Sequence, residues 1–130
     1  MAFERTYSHA PWETEVGYCR ALRAGDHIYV TGTAPVTEDG GVFAPGDPYA
    51  QTRHCLALIE RALRKLDCDR TAIVRTRLFV TDITQWPEVG RAHREFFGMS
   101  HPATTIVEVS RLIDAAMLIE IEADAVELSS

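Results

Sequence analysis

Within the run Leu118 to Val126, LIEIEADAV, apolar and acidic residues alternate strictly from Ile119 to Ala125. Side chains of an extended strand point to opposite faces in turn, so Ile119, Ile121, Ala123 and Ala125 share one face and Leu118, Glu120, Glu122 and Asp124 the other. A helix would mix the two sets, so the segment is a strand with one face to bury under another layer. Two readings stand for the carboxylate row: a solvated sheet face, or a cleft or subunit interface where cations meet it. Pro102 to Val109, PATTIVEV, reads as a second extended segment joined to the first by a short irregular connection.

Upstream, VGYCRALR at 16–23 and HIYVTGTA at 27–34 flank Ala24-Gly25-Asp26, predicting a hairpin with a tight glycine-containing turn. Glu38-Asp39-Gly40-Gly41 marks another turn, with Val42-Phe43 as a short strand after it. Asp47-Pro48 opens a helix: the aspartate can accept from free amides and proline suits the first helical position. To about Leu66 that helix repeats Cys55, Leu56, Ile59, Leu63 and Leu66 on one side.

AIVRTRLFVT at 72–81 alternates again, with Val74, Thr76, Leu78 and Val80 expected on the buried face. A second helix is predicted over 85–97, capped by Thr84, stopped at Gly98, and buried through Trp86, Val89, His93 and Phe96. The order strand, strand, helix, strand, helix, strand, strand predicts an α/β sandwich: one mixed β-sheet with two helices packed on one face.

The uncovered face would then carry Tyr18, Arg20, Leu22, Tyr29, Thr31, Arg75, Arg77, Phe79, Ile106, Glu108, Glu120 and Glu122, with Val107 and Val109 turned toward the helices. That mixture of aromatics and opposite charges is too apolar for plain solvent surface, and it predicts a homo-oligomer closing on this face.

The 130 residues predict a single domain over 1–130, with 1–14 as an N-terminal segment folding over the cleft. A net charge of -6 argues against nucleic acid, which needs clustered Lys and Arg. Cys19, Cys55 and Cys68 are odd in number and far apart, reading as reduced thiols, and the five histidines show no metal-ligand spacing. No metal and no cofactor is expected. The opening MAFERTYSHAPWE lacks a signal-like apolar run and no membrane-length apolar stretch follows, predicting a cytoplasmic protein.

Several segments in order resemble the YjgF/Rid (reactive-intermediate deaminase) family, also known as L-PSP endoribonuclease. They are Val16-Gly17-Tyr18, YVTGTAPV at 29–36, IVRTRLFVTD at 73–82, Phe96-Phe97, Pro102-Ala103, Val107-Glu108-Val109, Arg111-Leu112 and IEIEA at 119–123. The resemblance implies a chorismate-mutase-like fold, a homotrimer with its sheets inside, and a site in each cleft between subunits. It further implies hydrolysis of small imines or enamines to carbonyl compounds and ammonia, with no cofactor and no membrane or nucleic-acid partner.

Residue by residue, the water-handling glutamate falls on Glu120, the first-strand tyrosine on Tyr18 and the second-strand hydroxyl on Thr31. A usual glutamine falls on Thr33, an asparagine on Gly90 and a cysteine on Ile106. The arginine that clamps a substrate carboxylate falls on Thr104. The resemblance therefore implies a branch that keeps the catalytic carboxylate and lacks the anion clamp, so 2-imino acids are not its expected substrates. Arg20 either supplies a replacement clamp or pairs with a carboxylate such as Glu122, and Trp12 either walls the site or packs. A non-catalytic metabolite-binding trimer is the alternative; ribonuclease activity is the least supported by this acidic chain.

Overall fold

The computed structural model describes residues 2–128; Met1, Ser129 and Ser130 of the expected domain lie outside the described residues. Its strands are β1 (Glu4–Thr6), β2 (Ala21–Ala24), β3 (His27–Thr33), β4 (Ile73–Val80), β5 (Ala103–Glu108) and β6 (Ile119–Val126), with helices α1 (Pro48–Arg64) and α2 (Trp86–Phe97). They form one mixed six-stranded sheet in the order β1-β2-β3-β6-β4-β5, antiparallel throughout except for the parallel pair β4/β5.

The acid–apolar run becomes β6, at the centre of this sheet. Ile119, Ile121, Ala123 and Ala125 are buried under the helices and the alternate residues are half-exposed. The helix-side layer comes from α1, whose Cys55, Leu56, Ile59 and Leu63 are fully buried. Each such aliphatic side chain withdrawn from water stabilises the fold by roughly 1.5–3 kcal/mol. The start of α1 follows its sequence signal: Asp47 accepts from the Ala50 amide at 3.0 Å and Pro48 occupies the first turn. The β2/β3 hairpin turns through Gly25, at φ +63°.

Other boundaries moved for identifiable reasons. Residues 13–17 form a single wide helical turn, so the strand expected from Val16 begins only at Ala21. The N-terminal segment contributes β1, which pairs with β2 from Glu4↔Arg23 to Thr6↔Ala21, and its residues 8–12 run on beside the cavity described below. The Val42-Phe43 strand reduces to one bridge, Val36↔Val42. The cap ahead of α2 is Asp82 rather than Thr84: it accepts from the Thr84 amide at 3.0 Å and opens a short 3-10 turn. The buried stripe of α2 is Val89, Ala92 and Phe97, whereas Trp86, in the first turn, is 59% exposed.

Two faces were also reassigned. A bulge between Ile73 and Arg75 expels Val74 and turns Ile73 inward. In β5, pairing with β4 sets Leu78 beside Ile106 and Phe79 beside Val107, so Ile106 packs on the covered core and Val107 faces out. Both residues are apolar and only the partner's register decides between them. Glu108 likewise leaves the open face and accepts from the Ile83 amide at 3.0 Å.

Candidate functional site

A second irregularity builds the site. Between Val30 and Thr33, β3 spends one residue more than β6: Val30 pairs with Ala123, but Thr33 with Ile121. The extra residue inverts the alternation beyond it, so Thr31 stays half-exposed and Thr33 is buried. At the bulge, Gly32 lies directly against Glu120. A Cβ on Gly32 would stand 2.5 Å from Glu120 Oε2, so any other residue here would push this carboxylate from its place.

Glu120 sits at the start of β6, half-buried. Burial pushes its carboxyl above the ordinary range, Arg20 pulls it back, and Glu122 pushes it further up. Around it opens a cavity of about 860 Å³, walled by Trp12, Tyr18, Thr31, Gly32, Ile113 and one flank of α1. Such a volume suits a small organic molecule.

Arg20 is already engaged. Its Nε approaches Glu13 Oε2 at 3.3 Å, and its Nη1 donates to the Gly32 carbonyl at 2.9 Å and the Thr33 hydroxyl at 3.3 Å. Tyr18 lies with its ring 5.6 Å from the guanidinium. The expected pairing with Glu122 is not made; Glu122 and Asp124 share Arg77, at 3.3 and 3.2 Å. Glu13 is buried, and burial alone would raise its pKa; the Ser8 hydroxyl and amide, with Arg20, outweigh that and hold it low. Glu13 thereby fastens the N-terminal segment beside the cavity: Ser8 donates to it through both its amide and its hydroxyl.

Of the residues singled out from the sequence, Tyr18, Arg20, Thr31, Thr33 and Glu120 line this cavity together, although Thr33 is buried and serves as a support for Arg20. Gly90 on α2 and Thr104 and Ile106 on β5 lie outside it. Glu13, Gly32 and Ile113 were missed. Gly32 had a signal, a glycine inside a strand pattern; Glu13 and Ile113 had none. No group of three or more His, Cys, Asp or Glu that could hold a metal occurs among the described residues. Cys55 is buried, and its thiol is held well above its usual range by burial and by Glu120.

Sheet order, helix placement and a carboxylate-centred cavity beside a bulged strand define a small α/β protein of the YjgF fold. Residues 8–127 match the family model described as Endoribonuclease L-PSP, and the chain belongs to this YjgF/Rid family. A Streptomyces coelicolor protein, SCO2049, is 34% identical over 124 residues, covering 95% of this chain and 92% of its own. An Acinetobacter baylyi protein named 3-aminoacrylate deaminase RutC is 32% identical over 104 residues, 80% of this chain and 82% of its own. The crystal structure of Rv2704 from Mycobacterium tuberculosis, in the YjgF/YER057c/UK114 family, superposes with a TM-score of 0.88 at 40% identity, covering 97% of this chain and all of that one (100%). No described helix is long and apolar enough to cross a membrane.

Proposed function

We propose that the protein hydrolyses a small imine or enamine in a cleft between subunits of a homotrimer, with Glu120 as the base that activates water. The observation that carries this reading is the Glu120 carboxylate: half-buried, pushed toward a higher pKa, and set against Gly32, which has no Cβ to crowd it, in a cavity of ligand size. A carboxylate so tuned is suited to taking a proton from water near neutral pH. The water oxygen would bond to the C=N carbon while the nitrogen gains protons. Collapse of the resulting carbinolamine breaks the C–N bond and leaves a carbonyl compound and ammonia. The Acinetobacter relative named as an aminoacrylate deaminase supports the enamine side of this chemistry.

Arg20 is committed to Glu13, the Gly32 carbonyl and Thr33, so it supports the cavity wall and is not a free anion clamp. The cavity lining balances Arg20, Arg61 and Lys65 against Glu38, Asp39 and Glu120, and with Arg20 already committed the ground beside Glu120 suits an uncharged or cationic group better than a carboxylate. The trimer accounts for the split of the expected residues: Gly90, Thr104 and Ile106 on one subunit would complete the Glu120 cavity of its neighbour. The open sheet face, with Tyr29 49% and Val107 42% exposed beside the Arg77 ion pairs, supplies a surface to cover.

The test is the decay of 2-iminopropionate and of its amide, generated in solution, followed against pH. Glu120→Gln is expected to lower the rate on the preferred imine by about 10²-fold or more. The wild-type rate should fall at acid pH through a pKa above the usual carboxylate range, and that limb should vanish in the variant. Wild type no faster than buffer on both imines would remove the catalytic reading.

A further inference from the structure

Between α1 and α2 lies a second cavity, of about 630 Å³, whose apolar lining is Ala57, Ala92 and Phe96. Ala57 is exposed and Ala92 wholly buried, so where the two helices meet neither position fills the space with more than a methyl group. Around this floor stand Arg53, Arg61, Arg64 and Lys65 of α1, with Arg70 from the segment that follows it. Five of the chain's 13 Lys and Arg residues therefore gather at one groove, in a protein whose net charge is -6.

The two carboxylates on the lining are already taken. Glu60, buried, pairs with Arg70 at 2.6 Å and Arg64 at 3.5 Å, and Arg70 is held further by the Phe96 carbonyl at 2.9 Å, its guanidinium 4.0 Å from the Phe96 ring centre. Glu95 accepts from the Tyr49 hydroxyl and lies 3.8 Å from Arg91. Among the described residues no carboxylate pairs with Arg53, Arg61 or Lys65: Arg53 donates to the Tyr49 hydroxyl and Lys65 to the Tyr7 carbonyl, and their charges stay unmatched. Arg53, Ala57, Arg61 and Lys65 follow at four-residue intervals, which makes them one row of the helix surface. Like charges one turn apart work against a helix, so folding gains nothing from setting Arg61 beside Lys65.

We propose that this groove binds a small organic diphosphate, its phosphates held by Arg61 and Lys65 and its organic part lying over Ala57, Ala92 and Phe96 toward Arg53. Three unmatched cations ask for more charge than one carboxylate carries, and guanidinium groups bond phosphate oxygens in pairs. From Arg53 to Lys65 the helix rises roughly 18 Å, too far for a single phosphate to serve both ends. The volume also exceeds what two linked phosphates need, and the apolar floor suits the remainder of the molecule. A nucleic-acid strand would need a basic track to follow, whereas this is a closed pocket on an acidic chain. Arg61 and Lys65 line the Glu120 cavity as well; Arg53, Ala57, Arg64 and Ala92 belong to the groove alone of the two.

ADP, pyrophosphate and succinate, titrated by NMR into the full-length protein at about 0.15 M salt, test this. Wild type is expected to bind ADP and pyrophosphate at one place, with amide shifts centred on Ala57 and Ala92, and to bind succinate about tenfold more weakly than pyrophosphate. ADP should exceed pyrophosphate about threefold or more through its apolar contact. Arg61→Gln should weaken ADP about tenfold, the worth of one charge-assisted hydrogen bond. Ala57→Leu should abolish ADP binding with the thermal melt unchanged, because position 57 is exposed and leucine favours a helix. Glu120→Gln should leave ADP binding as it was, which separates the groove from the cavity that shares its two cations. The inference is overturned by a wild type without shifts, by shifts confined to the Glu120 cavity, by an Ala57→Leu protein that binds ADP normally, or by succinate or pyrophosphate matching ADP. An oligouridylate that binds the same residues more tightly than ADP would make the groove a nucleic-acid contact and end the small-molecule assignment.

Discussion

Gly32 and Glu120 behave as one unit. The glycine is not needed for an unusual backbone angle; it is needed because the carboxylate occupies the space a methyl group would fill. The atom in the way is the far end of a flexible side chain, so Gly32→Ala can be accommodated by moving the carboxylate. The expected result is a change in stability of less than about 1 kcal/mol by denaturant melt, with imine hydrolysis lowered about tenfold or more, because displacing a reacting group by an ångström is costly. A variant that keeps full activity would detach the glycine from the site. From the sequence, Glu120 was legible through alternation and family resemblance. The close approach was not, since it depends on a bulge register two strands must agree on. For Arg20, pairing with a carboxylate was legible but the partner was not: it is Glu13 rather than Glu122, and Glu13 comes from a wide helical turn that no local periodicity announces.

At the scale of elements, the segments with a strong local signal kept their place. The alternation of β6, the Asp47-Pro48 start of α1 and the Gly98 stop of α2 all follow local chemistry. Asp47→Ala is expected to cost about 1 kcal/mol in thermal or urea unfolding, since it orphans an amide of the first turn. The errors fall where a segment offers two equivalent choices. Ile106 and Val107 are both apolar neighbours, and only pairing with β4 decides which one is covered. Val74 would have faced the helices in a regular strand, but the bulge at its position lies outside what a two-residue period can encode. β1, a three-residue strand, is too short to carry a pattern at all.

For the whole molecule, the main question is what covers the open sheet face. Its ion pairs join Arg77 to Glu122 and Asp124, all partly exposed, and such pairs contribute little by themselves in water. Their value would rise on removal from solvent beside Tyr29, Phe79 and Val107, which is the arrangement proposed for the trimer. Sedimentation equilibrium is expected to report about three times the 14.5 kDa of one chain. Phe79→Glu, placed in the row with Glu120, should shift that mass toward one chain and remove hydrolysis in step. A wild-type protein that sediments at the mass of a single chain would leave Thr104 and Glu120 with no shared space.

The added residue in β3 has a further meaning for how such a chain can vary. Removing a single residue at 31–32 would let the ladder with β6 run on without interruption, a change that ought to favour the sheet itself. Thr33 would stay opposite Ile121 inside the sheet, but a single residue would then bridge from Val30, and the close approach of Gly32 to Glu120 that the extra residue creates would be lost. Length at this point is therefore as constrained as chemistry: a descendant could exchange many side chains around the pocket and remain functional, yet a one-codon loss here would yield a sturdier protein with nowhere to hold a ligand.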